Sequence, residues 1–394
     1  MTDTSTLASD KSLANVAAVV GVGHSDWRSD YKAVRDGGKP FDCYGYGAVA
    51  LRRALDDAGL SRDDVDALIV GPTMSYERSA EVYGLNPRWG GKEDAIQSVV
   101  TAAMLIKSGL AEVVALVYGN DQRSAKVQYG GPQAMGGAAN LSYVYHAPWG
   151  LTSQGALYGL MYRRYMEVTG ATEADLGEVA VAQRQWSSRN PHALMRKTIT
   201  IEDYLASEYI AEPLHLYDYC LINDGGVALI ICDSDRAKKT KKRPVMIKAA
   251  ARSDMHDQST TLKPRLIDFY HPGHHVVAAS VYNMAGIGPK DVDILQVYDS
   301  FSCHILFALE GFGFCKEGEA GAFMRAAGIG PGGKLPINTS GGHLSESYMQ
   351  GWNHQVECVR QLRGEAATNV EGCRHAQYVS DVVGKVFSVI YGVA

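Results

Sequence analysis

Residues 58–70 read AGLSRDDVDALIV and residues 285–297 read AGIGPKDVDILQV, with seven of thirteen positions identical at an offset of 227 residues. Each copy follows an apolar-periodic helix and ends in a short apolar strand. A helix–turn–strand unit present once in each half predicts a duplicated fold of two similar halves packed together. Ligand sites favour such junctions, where loops from both halves converge, so chemistry is sought there.

The rest of the chain fits that frame. Apolar runs at 16–21, 67–70, 113–117 and 227–231 alternate with helical patterns, one of them over 95–107. Continuous apolar strands of this kind belong to a sheet covered on both faces. The second half repeats the scheme with strands at 245–250, 294–297 and 387–391 and helices at 276–284, 303–310 and 349–363. A long insertion runs from about 120–216. It begins glycine-rich and becomes helical where Thr172 and Asp175 form a capping-box variant, and Asn190-Pro191 ends that helix. The expected organisation is a disordered lead-in over 1–15, a first half over 16–240 and a second half over 241–394. The basic run RAKKTKKR at 236–243 reads as a solvated turn between the halves, with a nucleotide-phosphate contact as the alternative.

Composition excludes several classes. A hydrophobic content of 46% with 21% charged residues is that of an ordinary globular protein, and 394 residues suffice for two or three domains. A net charge of −5 argues against nucleic acid and against a membrane surface. No apolar run has the length of a membrane span. The polar N-terminus lacks the pattern of a secretory signal, so a cytoplasmic location is expected. The seven cysteines include no CxxC pair and read as reduced thiols, mostly core, with no metal site indicated.

Several longer stretches carry a resemblance. GLAEVVALVYG at 109–119, the segment from Arg189 to Ile230 with its RNPHALMR, ITIEDYLAS and NDGG elements, VYDSF at 297–301, NTSGGHLSESYMQG at 338–351 and QLRGEA at 361–366 resemble the thiolase superfamily. The similarity is to its lipid-transfer-protein or sterol-carrier-protein-X branch and covers nearly the whole chain from Val16. It implies an α/β thiolase fold, two doubly wound halves in an α-β-α-β-α arrangement with a loop insertion in the first.

The departures from the thiolase pattern decide the chemistry. The family's nucleophilic cysteine falls on Lys92, and a thiolase needs a thiolate there. The histidine of the family's GHP element falls on Tyr348, and the residue that opens its NEAF or HDCF element falls on Tyr298. The last catalytic element falls on residues 378–381, without cysteine or histidine. Two tyrosines at two catalytic positions resemble the steroid side-chain-cleaving aldolases of the superfamily. That resemblance implies retro-aldol cleavage of a 17-hydroxy steroid side chain held as a CoA thioester, giving a 17-keto steroid and propanoyl-CoA or a related acyl-CoA. It also implies an OB-fold, zinc-ribbon partner and a heterotetramer around a homodimer core. No cofactor is expected on this chain. CoA enters as part of the substrate, and zinc is expected only in the partner.

Retro-aldol cleavage suits phenols. A base takes the hydroxyl proton, the C–C bond opens to a ketone and a thioester enolate, and an acid quenches the enolate. No covalent intermediate is needed. A phenol, with a reference pKa of about 10, donates readily and serves as base only if something depresses it. Tyr298 and Tyr348 are the candidate acid–base pair, with the assignment between them open. Asp299 is a candidate to orient Tyr298 or anchor its loop. His343 is a candidate hydrogen-bonding partner, and the amides of Gly341 and Gly342 are candidates for an oxyanion site in a tight turn. Tyr143, Tyr145 and Trp149, with Tyr158, line a flat apolar slot for sterol rings or form the insertion's own core. Lys92 reads as solvated or phosphate-facing, and Cys303 as core. Rival readings are a non-catalytic acyl-CoA- or lipid-binding scaffold and a thiolytic enzyme with its nucleophile elsewhere.

Overall fold

A computed structural model describes residues 13–127, 147–254, 272–382 and 385–393. The lead-in up to residue 12, Tyr143 and Tyr145 lie outside the described residues. The strands are β1 (Ala17–His24), β2 (Ala67–Val70), β3 (Trp89–Lys92), β4 (Val113–Asn120), β5 (Tyr209–Ala211), β6 (Leu214–His215), β7 (Gly225–Asp233), β8 (Val245–Asp254), β9 (Ile294–Val297), β10 (His375–Val382) and β11 (Lys385–Val393). All but the β5–β6 pair join one sheet in the order β3-β2-β4-β7-β1-β8-β11-β10-β9.

The order is a near-mirror about its centre. On one side β2 runs parallel to β4, and β4–β7 and β7–β1 are antiparallel. On the other, β9 runs parallel to β10, and β10–β11 and β11–β8 are antiparallel. The two half-sheets join only at β1–β8, through Ala18↔Met246 and Val19↔Val245. The strands β3 and β10 were not anticipated from sequence. Trp89-Gly90-Gly91-Lys92 has no apolar alternation, and β10 mixes Gln377, Ser380 and Asp381 with its apolar residues.

Alternation along the strands produces layers. In β4, Val114, Leu116 and Tyr118 face one cluster, and Val113, Ala115 and Val117 face another. The first cluster holds one face of both half-sheets together with Ala95, Val99 and Ile106 of the helix Ala95–Lys107 and Trp352, Val356 and Leu362 of the helix Trp352–Arg363. The outer face of the first half-sheet is covered by the helix Cys43–Ala58. That of the second is covered by Pro272–Ala285 and Cys303–Gly311, and the insertion helices Gln154–Thr169 and Glu173–Arg189 pack into the same cluster. Helix, sheet, paired helices, sheet and helix follow one another, as the duplication implies.

The repeated residues do the same work twice. Gly59 and Gly286 each end a helix at φ +71, a conformation that favours glycine. Asp64 accepts from the Ser61 amide at 2.9 Å and Asp291 from the Gly288 amide at 2.8 Å. Asp66 accepts from the amides of Glu112 and Val113 entering β4, and Asp293 from those of Arg374 and His375 entering β10. The correspondence continues one residue beyond each repeat. Gly71 donates to Val117 at 2.9 Å and Tyr298 donates to Val379 at 2.8 Å. A Cβ on Gly71 would run into the Tyr118 ring.

The halves are also fastened by charge. Arg363, whose side chain is 1% exposed, donates to Asp57 at 2.7 Å, to the Val20 carbonyl at 2.9 Å and to the Arg243 carbonyl at 2.9 Å. Arg236, Lys238 and Lys242 of the basic run 236–243 are paired with Asp64, Glu112, Asp235 and Glu365, which favours the inter-half turn over a phosphate contact. Replacing Arg363 by Met strands the Val20 carbonyl and leaves Asp57 with the Val22 amide and Lys242 alone, so unfolding in urea should show a loss of about 1–3 kcal/mol. A loss under about 1 kcal/mol would mean that the halves do not depend on this contact.

Candidate active site

Tyr298 stands at the end of β9. Val297 just before it is held on both sides by Asn338, whose Oδ1 accepts from the Val297 amide at 2.7 Å and whose Nδ2 donates to the Val297 carbonyl at 3.1 Å. That side chain continues the sheet where no strand lies, and it fixes the direction in which Tyr298 leaves. The next residue, Asp299, is fully buried. It accepts from the His343 amide at 2.9 Å, the Leu344 amide at 3.3 Å and Nε2 of His354 at 3.0 Å. Nδ1 of His343 lies 3.4 Å away. Asp299 therefore anchors the turn at 341–344 against the helix Trp352–Arg363.

The turn needs its glycines. Gly341 has φ +109 and Gly342 φ +58, and a Cβ on Gly342 would collide with the Asp299 carboxylate. The Gly341 amide donates to the Asn338 carbonyl at 2.8 Å. It is therefore spent within the turn, which corrects the expectation that it serves an oxyanion.

Tyr348 comes from the loop that follows, and the first half holds that loop. Its amide donates to Asn223 Oδ1 at 2.8 Å, and Asn120 Nδ2 donates to its carbonyl at 3.4 Å. Asn223 also donates to Ser347 Oγ at 2.9 Å. Backbone bonds from Leu194 and Met195 to Glu346 and Ser345 add a second attachment. Gly351 closes the loop at φ +83, its amide donating to His343 Nε2 at 3.0 Å, and a Cβ there would strike the Tyr378 hydroxyl.

These constraints bring the hydroxyls of Tyr298 and Tyr348 to 2.9 Å, fifty residues apart in sequence. The His343 ring packs against both, 4.8 Å from Tyr298 and 5.0 Å from Tyr348 by centroid. Tyr298 is buried and Tyr348 half-buried. Burial drives the Tyr298 phenol well above its ordinary value, and the Tyr348 hydrogen bond offsets only part of this. No cation depresses it, because burial lowers both His343 and His354 to about 3 and leaves them neutral. Tyr298 is accordingly a proton donor at ordinary pH.

Asp299, His343 and His354 are the one group among the described residues whose donor atoms lie close enough to share a metal ion. Hydrogen bonds within the protein already engage most of their polar atoms. His343 Nε2 receives the Gly351 amide, and His354 spans Gln296 and Asp299 at 3.0 Å each. The trio packs against and braces the residues around Tyr298.

Other expected residues lie elsewhere. Trp149 is 87% exposed on a short turn, and its expected neighbours Tyr143 and Tyr145 lie outside the described residues. Tyr158 is core, packed on Phe301 at 4.7 Å. Lys92 is exposed on β3, and Cys303 is fully buried with its thiol well above the usual range. Sequence reasoning missed Asn120, Asn223, Asn338, Glu346 and His354. Asn223 and Asn338 sit inside the NDGG and NTSGG elements, which read as turns rather than as clamps.

Glu346 is the loop's buried carboxylate. It accepts from Asn190 at 3.0 Å, Ser340 at 2.7 Å and Asn353 at 3.2 Å. Burial, with neighbouring Glu357, pushes it up to about 7. A folded value above the unfolded one contributes stability that is complete below about pH 4.5 and disappears as pH rises through 7. Wild-type stability should therefore fall by about 3 kcal/mol relative to Glu346→Gln between pH 5 and 8. Urea titrations across that range check this, and a pH-independent difference would contradict the burial argument.

Comparison with known proteins agrees with this architecture. Residues 259–390 match the family model "Thiolase C-terminal domain-like". The chain is 36% identical over 385 residues to the 17-hydroxy-3-oxo-4-pregnene-20-carboxyl-CoA lyase of Mycobacterium tuberculosis, covering 92% of this chain and 95% of that one. It is 36% identical over 337 residues to the steroid side-chain-cleaving aldolase of Thermomonospora curvata, covering 80% and 84%. Among solved structures, an Ltp2-ChsH2(DUF35) aldolase superposes with a TM-score of 0.87 at 30% identity, covering 97% of this chain and 98% of that one. Human mitochondrial 3-ketoacyl-CoA thiolase, at 15% identity and a TM-score of 0.69 over 97% and 99%, shares the fold. The chain belongs to the thiolase superfamily and is one of its thiolase-like aldolases.

Proposed function

We propose that the chain cleaves the side chain of a 17-hydroxy steroid held as a CoA thioester, releasing a 17-keto steroid and propanoyl-CoA or a related acyl-CoA. The observation that carries this is the 2.9 Å contact between the Tyr298 and Tyr348 hydroxyls at the end of β9, in a chain with no cysteine at 92. Thiolysis needs a thiolate, whereas a retro-aldol step needs a proton donor at the enolate carbon and hydrogen bonds to the enolate oxygen. Tyr298 is held protonated by burial and is the acid of the pair. Tyr348, on the more open side, steadies the developing enolate oxygen and feeds the Tyr298 hydroxyl. CoA enters as part of the substrate.

The two curated relatives above are named for this kind of cleavage. The superposed aldolase is a complex with a DUF35 chain, which supports an OB-fold, zinc-ribbon partner here. A homodimer core with two such partners, in the cytoplasm, completes the proposal. No helix among the described residues is long and apolar enough to cross a membrane.

The test is incubation of the chain and its partner with a 17-hydroxy steroid CoA thioester, reading ketone release. Tyr298→Phe and Tyr348→Phe should each lower kcat by about 10²–10⁴-fold with little change in thermal unfolding. Iodoacetamide should leave turnover intact. Unchanged turnover in both tyrosine variants would overturn the site, absence of cleavage in the wild-type complex would favour a binding scaffold, and loss through one alkylated cysteine would point to a thiolate nucleophile.

A further inference from the structure

The retro-aldol reading leaves one proton without a destination. The substrate's tertiary hydroxyl must lose it as the C–C bond opens. The groups around the tyrosine pair are poorly suited to take it. Burial keeps the Tyr298 phenol and the Cys220 thiol protonated, the latter pushed up to about 12. Asp299 is enclosed and already accepts three hydrogen bonds. His343 Nε2 is enclosed between the Gly351 amide at 3.0 Å and Asn353 Oδ1 at 3.1 Å.

Two residues beyond Tyr298 the situation changes. Ser300 is half-buried, and its Oγ lies 3.0 Å from Nε2 of His304, one helical turn further on. The His304 ring is fully buried and stands edge-on to the Tyr298 ring, with centroids 6.3 Å apart. Tyr158 at 4.5 Å and Phe301 at 6.2 Å pack on it and fix its plane. Behind it, Asp381 of β10 lies 4.0 Å from His304 Nδ1 and 3.2 Å from Nε2 of the buried His274. Burial lowers His304 to about 4, so its ring is neutral at ordinary pH. Burial pulls the Asp381 carboxyl up, but His274 and His304 together hold it below its usual value. A neutral imidazole with one nitrogen facing a carboxylate and the other a serine hydroxyl is oriented to receive a proton through that hydroxyl.

We propose that Ser300 and His304 form the proton acceptor for the substrate alcohol, with Asp381 and His274 as positioning residues. The proposal rests on the retro-aldol reading. The alcohol proton passes to Ser300 Oγ as the serine proton passes to His304 Nε2. The oxygen's electron pair becomes the ketone double bond, the C–C pair moves into the thioester enolate, and a tyrosine hydroxyl protonates the enolate carbon. The imidazolium then gives its proton to solvent and the tyrosinate regains one from solvent, so the cycle gains and loses none. Ser300 touches the substrate, and His304 acts through it.

Two reactions of the partner-bound complex separate this role from a structural one. The first is cleavage of the 17-hydroxy steroid CoA thioester. The second is exchange of the C2 hydrogens of propanoyl-CoA in deuterium oxide, which uses the enolate and its acid but has no alcohol to deprotonate. Ser300→Ala and His304→Gln should lower cleavage kcat by about 100-fold or more, with KM and the exchange rate within about threefold of wild type. Ser300→Thr, which keeps the hydroxyl, should recover most of the cleavage rate. Ser300→Ala, at a half-buried position, keeps the test open should His304→Gln fail to fold. Wild-type cleavage rates in Ser300→Ala, or parallel loss of both reactions, would overturn the proposal while leaving the retro-aldol reading standing. A wild-type complex that does not cleave the thioester would instead remove that reading, and this relay with it.

Discussion

A single buried carboxylate organises the site. Asp299 is surrounded by donors from two directions, the amides of His343 and Leu344 and the ring of His354. A carboxylate removed from water is tolerated only with such partners, so the requirement runs both ways. The turn must present its amides, which needs glycine at 341 and 342, and the helix Trp352–Arg363 must present a histidine. Tyr298 is the neighbour of this carboxylate in sequence and inherits its rigidity. The phenol is aimed by an anchor it does not itself touch through a hydrogen bond.

The second constraint comes from the other half of the chain. Tyr348 belongs to the second half, yet its backbone is held by Asn120 and Asn223 of the first. Its loop is pinned again by Asn190 and the backbone of residues 194–195. A candidate site whose two tyrosines lie within one half by sequence thus depends on the packing of both. Arg363 serves the same end, tying the helix that carries His354 to β1 and to Asp57. Geometry good to a fraction of an ångström at the hydroxyls rests on contacts spread over much of the molecule.

Most of the fold was legible because the repeat has a physical meaning at each identical position: a left-handed helix end, a cap, and an aspartate that receives the next strand. The helix 95–107 and the strands 67–70 and 294–297 follow their apolar patterns to the residue. β10 escaped because the buried polar residues Gln377, Ser380 and Asp381 break its apolar run, and β3 because an exposed edge strand needs none. At the site, the positions of Tyr298 and Tyr348 were readable from flanking elements. The clamps were not, since Asn223 and Asn338 act across long sequence separations and each looks locally like a turn former.

Duplication normally offers a protein two copies of whatever one copy can do. Here the counterpart of Tyr298 is Gly71, and the room a side chain would need is plugged by the Tyr118 ring. One twin has been sealed while the other was furnished. The inheritance is symmetric in its carpentry and lopsided in its side chains: of two corresponding positions, one carries a phenol and the other has no room for it.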